Sequence, residues 1–169
     1  NKACAVPSTE YVLMLTYTDS NEQEIRNKFY KENYGVIPKN VFIMSWFSFL
    51  LQHLIKPYQN YVTDDCFEIK GLAMPNNETK GDKKQKFRPI RKINWKQYYF
   101  TNNQRVLSEK LSELASECNN KSNGLPIERL TNIFENIYID EVQDFTEINL
   151  NLFKAISIKM FAVGDALQM

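Results

Sequence analysis

Two adjacent carboxylates, Asp140 and Glu141, follow the apolar triplet Ile137-Tyr138-Ile139, with Gln143 and Asp144 just beyond. A triplet of this kind forms a buried strand. The two acids then emerge together at its carboxyl end, where open α/β sheets bind ligands. Nucleoside triphosphate hydrolysis uses such a pair: one carboxylate holds Mg²⁺ through water, and the next orients and deprotonates the attacking water. The alternative is a solvated turn after a strand, since Asp and Glu are common there. A second segment of the same kind is Met160-Phe-Ala-Val-Gly-Asp-Ala-Leu-Gln168. Again a strand ends in a polar turn, here carrying Gly164, Asp165 and Gln168. A Gln amide past a strand end can hydrogen-bond a γ-phosphate or its water, as donor and as acceptor. Gly-Asp is also an ordinary turn. More informative is the order: strand and acids, one helix, then strand and polar turn.

The elements that must position these residues run from the start of the chain. Tyr11 to Thr16 is a short apolar run after Pro7-Ser8-Thr9 and reads as a buried strand. Asp19-Ser20 offers a helix N-cap, with Gln23 three residues after Ser20 as in a capping box. Ile25 and Phe29 share a face, Glu22/Arg26 and Glu24/Lys28 are i,i+4 ion pairs, and Gly35 is a natural C-cap. A second strand, Val41 to Met44, leads through Ser45 as cap into an apolar helix from Trp46 to Lys56, ended by Pro57. This β-α-β-α order predicts a parallel, doubly wound α/β sheet. From residue 57 the rhythm is lost. Leu107, Leu111, Leu114 and Cys118 mark one face of a helix, and Pro126 suits the first turn of another, with Ile127, Leu130 and Phe134 inward. Helix 147–156 and strand 160–163 restore the α/β order. The expectation is an α/β domain in two segments, 1–56 and 125–169, interrupted by a mostly helical insertion, 57–124.

Composition narrows the chemistry. The 169 residues carry 21 Lys plus Arg against 20 Asp plus Glu, a net charge of +1, which excludes a uniformly basic protein but not a local basic patch. The five glycines form no G-x-x-x-x-G-K-[ST] loop, so these residues contain no Walker A motif. Cys4, Cys66 and Cys118 are odd in number and far apart, which points to structural thiols in a reducing, intracellular setting. The one histidine, His53, reads as a packed helix residue, which argues against a His-based zinc site or a Ser-His-Asp triad. No apolar run approaches the ~20 residues of a membrane span. The opening Asn1 to Pro7 has neither a Met nor the apolar core of a signal peptide, so the chain reads as a piece of something longer.

Taken together these segments resemble the UvrD/PcrA/Rep-like family of superfamily one DNA helicases. Asp-Glu-Val-Gln-Asp (140–144) is similar to that family's Walker B motif, motif II, usually Asp-Glu-x-Gln-Asp. Val-Gly-Asp-Ala-Leu-Gln (163–168) is similar to its motif III, Gly-Asp-x-x-Gln. Leu15-Thr-Tyr-Thr-Asp-Ser20 resembles motif Ia, typically Thr-Phe-Thr-Asn, and Ser45-Trp-Phe-Ser-Phe-Leu50 resembles the Thr-Phe-His-Ser-Phe stretch that follows it. The resemblance implies a RecA-like P-loop NTPase domain, with ATP and Mg²⁺ as cofactors and single-stranded DNA as partner. It implies Asp140 as the Mg²⁺ carboxylate, Glu141 as catalytic base and Gln168 as γ-phosphate sensor. By the same resemblance Gln143, Asp144, Gly164 and Asp165 would support these loops. Tyr17, Thr18 and Ser45 would lie against DNA, Tyr17 by stacking. Motif I, with its phosphate-cradling loop, would precede position 1, and the remaining helicase domains would follow Met169. Asp19 stands where the family has Asn, and Phe47 where it often has His.

A basic stretch from Lys80 to Lys96 holds eight Lys and Arg residues, among them Lys83, Lys84 and Lys86, opposed by Asp82 and interleaved with Phe87 and Trp95. Such a mixture suits a phosphate backbone and unstacked bases; a solvated loop whose aromatics pack on the core is the alternative. The expected activity of the intact protein is Mg-ATP hydrolysis coupled to movement along single-stranded DNA. Two rivals are a metal-dependent phosphodiesterase built on Asp140, Glu141, Asp144 and Asp165, and a non-catalytic nucleic-acid-binding module.

Overall fold

A computed structural model describes residues 10–63, 68–74, 94–145, 149, 151–152, 154 and 159–164. Strand β1, Val12–Thr16, is apolar through both phases of its alternation, and Val12, Leu13, Leu15 and Thr16 are all fully buried. That is the pattern of a central parallel strand covered on both faces. It pairs in parallel with β2, Val41–Ser45, on one side and with β5, Asn136–Ile139, on the other. Strand β6, Lys159–Ala162, adds in parallel beside β5, so the four-stranded sheet runs β2-β1-β5-β6. Both β2 and β6 are edge strands among the described residues.

Helix α1, Asp19–Glu32, follows β1 directly. Its N-cap is Thr18, whose Oγ1 accepts from the Asn21 N–H at 3.2 Å, and not the expected Asp19-Ser20. Thr18 is the last residue with extended φ/ψ, and a capping side chain must stand there. Gln23 bonds Asn27 within the helix rather than closing a box. At the other end the helix stops at Asn33, and Gly35, at φ +81°, turns the chain while its N–H reaches the Tyr30 carbonyl at 2.8 Å. Both predicted ion pairs form, Glu22–Arg26 at 2.8 Å and Glu24–Lys28 at 2.7 Å.

After β2 the expected single α-helix is replaced by three helical types in series. Helix α2, Trp46–Phe49, widens into a π-helix over Leu50–Ile55, which tightens into a 3₁₀ segment over Lys56–Tyr61. Pro57 therefore does not end the helix. It sits in the first turn of the 3₁₀ segment, where its missing N–H is not needed. In an α-helical register Pro57 would have to serve the His53 carbonyl and cannot. That carbonyl accepts from the Arg129 guanidinium at 3.2 Å instead.

Four short or medium elements follow: β3 (Leu72–Ala73), α3 (Trp95–Tyr99), β4 (Val106–Leu107) and α4 (Leu111–Lys121). Leu107, expected on the helix face, belongs instead to β4, which pairs in parallel with β3. Helix α5, Leu125–Ile133, carries Pro126 in its first turn as expected, and Ile127 and Leu130 are buried. Of the expected helix 147–156, residues 149, 151, 152 and 154 are described and are helical.

Alternation along the strands separates two faces. Leu13, Leu15, Ile137 and Ile139 join Trp46, Phe49, Leu54, Leu111, Leu114, Cys118 and Leu130 in one continuous core. The described part of 57–124 thus shares its core with the sheet. The other face is smaller: Phe29 of α1 packs on Val41 and Ile43, with Met14, Ile25 and Tyr138 at the margin. The fold is a mixed α/β structure with a parallel sheet. No described helix is long and apolar enough to cross a membrane.

Candidate active site

The parallel register sets Leu15, Ile139 and Ala162 abreast, so β1, β5 and β6 end on one rim. The ladder continues into the acids: the Asp140 N–H donates to the Leu15 carbonyl at 2.8 Å, and the Val163 N–H to the Ile139 carbonyl at 2.8 Å. Asp140 and Thr16 are thus neighbours at adjacent strand ends. Asp140 is half-buried, and that burial, followed by the charge of Glu141, pushes its carboxyl above the ordinary carboxylate range. Lys28 of α1 opposes part of this shift. Asp140 and Lys28 line a groove of about 250 Å³ whose walls include Met14, Phe29, Tyr138 and Val163.

Glu141 stands in the left-handed region, φ +55° and ψ 47°, and opens a 3₁₀ turn over Val142–Asp144. For a non-glycine residue this conformation costs roughly 1–2 kcal/mol. Three contacts hold it. The Asp144 N–H donates to the Glu141 carbonyl at 3.0 Å, the Val142 N–H donates to the Val163 carbonyl at 3.1 Å, and the Gln143 amide donates to the Glu141 carboxylate. Gly164 lies against that amide: a Cβ there would overlap Gln143 Oε1 and stand 2.9 Å from Val142 Cγ1. The two acidic and polar segments, distant in sequence, are therefore in direct contact.

Two further predicted segments, 15–20 and 45–50, meet at Phe145. The Tyr17 ring packs on Phe47 at 5.6 Å and edge-on against Phe145 at 5.4 Å, and Phe145 is also edge-on to Trp46 at 5.2 Å. Thr18 places its hydroxyl on Asn21 and Ser20 as the cap of α1. Ser45 is fully buried: its N–H donates to Glu22 and its hydroxyl to Ser48 at 3.1 Å. Asp165, Gln168, Lys83, Lys84 and Lys86 lie outside the described residues, as do Cys4 and Cys66. Among the described residues no three His, Cys, Asp or Glu side chains are grouped to hold a metal ion.

Lys28 carried no signal of its own in the sequence, and Thr16 entered only as part of the segment that resembles motif Ia. Lys28 reads there as half of a helix-surface ion pair, and only the packing of α1 over β1 brings it near Asp140. Thr16 reads as the last residue of a strand. It is fully buried, and its hydroxyl has no hydrogen-bond partner among the described residues. Away from the rim, Arg129 donates to His53 Nδ1 at 3.1 Å, and burial, then the Arg129 charge, lowers the imidazole pKa to about 4. Cys118 is buried in the core, which pushes its thiol up to about 12 and leaves it unreactive. No protein-family model matches the chain, and no curated protein matches it.

Proposed function

We propose that this chain is the acid-bearing part of a RecA-like ATPase domain in a UvrD-like DNA helicase or translocase. The observation that carries the reading is the placement of Asp140 and Glu141 at the end of β5, flanked in a parallel sheet by the ends of β1 and β6. Motifs separated by more than a hundred residues in the sequence share that rim. The residues present suit a hydrated Mg²⁺: a half-buried carboxylate at a strand end, with the neighbouring strand ending in Thr16, whose buried hydroxyl lacks a partner among the described residues, matches an ion that keeps most of its waters. Asp140 would hold it through water. Bound Mg²⁺ neutralises charge on the transferring phosphoryl group. Glu141 takes a proton from the attacking water, and Gln143 holds the Glu141 carboxylate in place. The phosphate-cradling loop has to come from outside these residues. The sheet has room for it: β6 is an edge strand among the described residues, and Phe161, stacked on Tyr138 at 4.9 Å, is 38% exposed on the same face as the groove. Single-stranded DNA is the proposed partner, approached from the side of Tyr17 and Thr18.

The test is made in the full-length protein. Glu141→Gln keeps the shape of the side chain but cannot accept a proton, so ATP turnover should fall roughly 10²–10⁴-fold with nucleotide binding retained. Asp140→Ala should weaken Mg-nucleotide binding as well. Near-normal turnover in Glu141→Gln would falsify the assignment.

A further inference from the structure

The outer edge of β2 is met by two charged side chains of α1. The Ser45 N–H donates to Glu22 Oε2 at 2.7 Å, and the Arg26 guanidinium donates to the Ile43 carbonyl at 2.5 Å. The two side chains also pair with each other at 2.8 Å. Ile43 and Ser45 are two residues apart, so their free backbone groups point to the same side of the strand, away from β1. In a parallel ladder one residue of the next strand would donate to the first of these groups and accept from the second. A guanidinium and a carboxylate, held four residues apart on a helix, here supply the same donor and acceptor.

We propose that the Glu22–Arg26 pair closes the β2 edge to strand addition by occupying these two ladder positions. The occupant it keeps out is β2 of a second copy of this chain. An edge strand with exposed backbone groups is a template for such pairing. This one also presents Phe42, which is 38% exposed, beside a groove of about 440 Å³ lined by Glu22, Arg26, Ile43, Gln52 and His53. The packing of α1 aims the pair at the edge. Phe29 fixes the helix on Val41 and Ile43, and Glu22 and Arg26 lie on the turns before it.

A charge swap separates this role from simple helix stabilisation. Glu22→Arg/Arg26→Glu retains an i,i+4 ion pair but inverts donor and acceptor, so it can serve neither Ser45 nor Ile43. The Ser45 amide should then exchange roughly 10- to 100-fold faster. Sedimentation velocity should show concentration-dependent self-association that the parent chain lacks. Swapping the exposed Glu24–Lys28 pair is the control and should change neither readout. A Glu22/Arg26 swap that sediments as the parent does overturns the proposal. If the swap melts without cooperativity, Glu22→Ala and Glu22→Gln carry the test. Gln keeps an oxygen for the Ser45 N–H, and Ala does not. Association of the Ala variant beside parent-like behaviour of the Gln variant supports the edge closure, and identical behaviour of the two overturns it.

Discussion

Gly164, at the end of β6, lies against the side-chain amide of Gln143, and the same amide donates to the Glu141 carboxylate. The space at residue 164 thus governs how the proposed base is held. Gly164→Ala places a methyl where Gln143 Oε1 and Val142 Cγ1 now sit, and overpacking of this kind costs about 1–3 kcal/mol. Urea denaturation should show that loss, and Gln143→Ala in the same chain should recover part of it. Losses that simply add would show that the two residues do not share this contact.

Glu141 is held at φ +55°. Glu141→Gly should leave the chain at least as stable as the parent, because glycine enters this region without a steric cost. Glu141→Val should lose about 1–3 kcal/mol, since a β-branched residue is an outlier there. Chemical denaturation of both variants checks the order Gly above Val. The reverse order would place Glu141 in ordinary backbone geometry.

Asp140 is raised above the ordinary carboxylate range by burial and then by Glu141. The folded state therefore holds a proton there more tightly than the unfolded state does. The stability this gives is present in acid and is lost as pH rises through the raised value. Asp140→Asn resembles the protonated form, so it should melt higher than the parent at neutral pH and no higher in acid below the carboxylate range. Equal melting temperatures at neutral pH would contradict this.

His53 carries the opposite sign. Burial and Arg129 lower its pKa from 6.5 to about 4, so the fold binds a proton less readily than the unfolded chain. The stability from neutral His53 is complete above 6.5 and is lost as pH falls toward about 4. His53→Gln cannot charge, and should therefore lose less stability than the parent on that descent. Urea midpoints for both chains across this range decide it, and parallel curves would remove His53 as a source of acid sensitivity.

Thr18, rather than Ser20, caps α1. Thr18→Ala should cost about 1 kcal/mol, within the 0.5–2 range for lost caps, and Ser20→Ala should cost less. Thermal melts of the two single variants compare them directly. A larger loss from Ser20→Ala would restore the cap to the position that the residue pattern favours.

Elements that depend on neighbouring residues were legible from the order of the residues alone. The runs Tyr11 to Thr16, Val41 to Met44 and Ile137 to Ile139 are strands because short continuous apolar stretches between turns have to be buried. Asp140 and Glu141 follow as the first polar residues after such a run, so the candidate site was legible as a strand end. Local pattern failed where the outcome hangs on distant partners. Thr18, Asp19 and Ser20 can each cap a helix, and the length of β1 selects among them. The helix after β2 passes through Pro57 because Arg129, more than seventy residues away, meets the His53 carbonyl. Leu107 left its helical face to pair with Ala73 across a long gap in the chain. Packing alone set the place of β1 between β2 and β5, the contact of Gly164 with Gln143, the meeting of Tyr17, Phe47 and Phe145, and the docking of the Glu22–Arg26 pair on the edge of β2. One cause underlies all four. Hydrophobic periodicity records which face of an element is buried but carries no register between elements. A parallel sheet joins strands that a helix or a longer stretch of chain separates, and packing then selects which side chains meet at the rim.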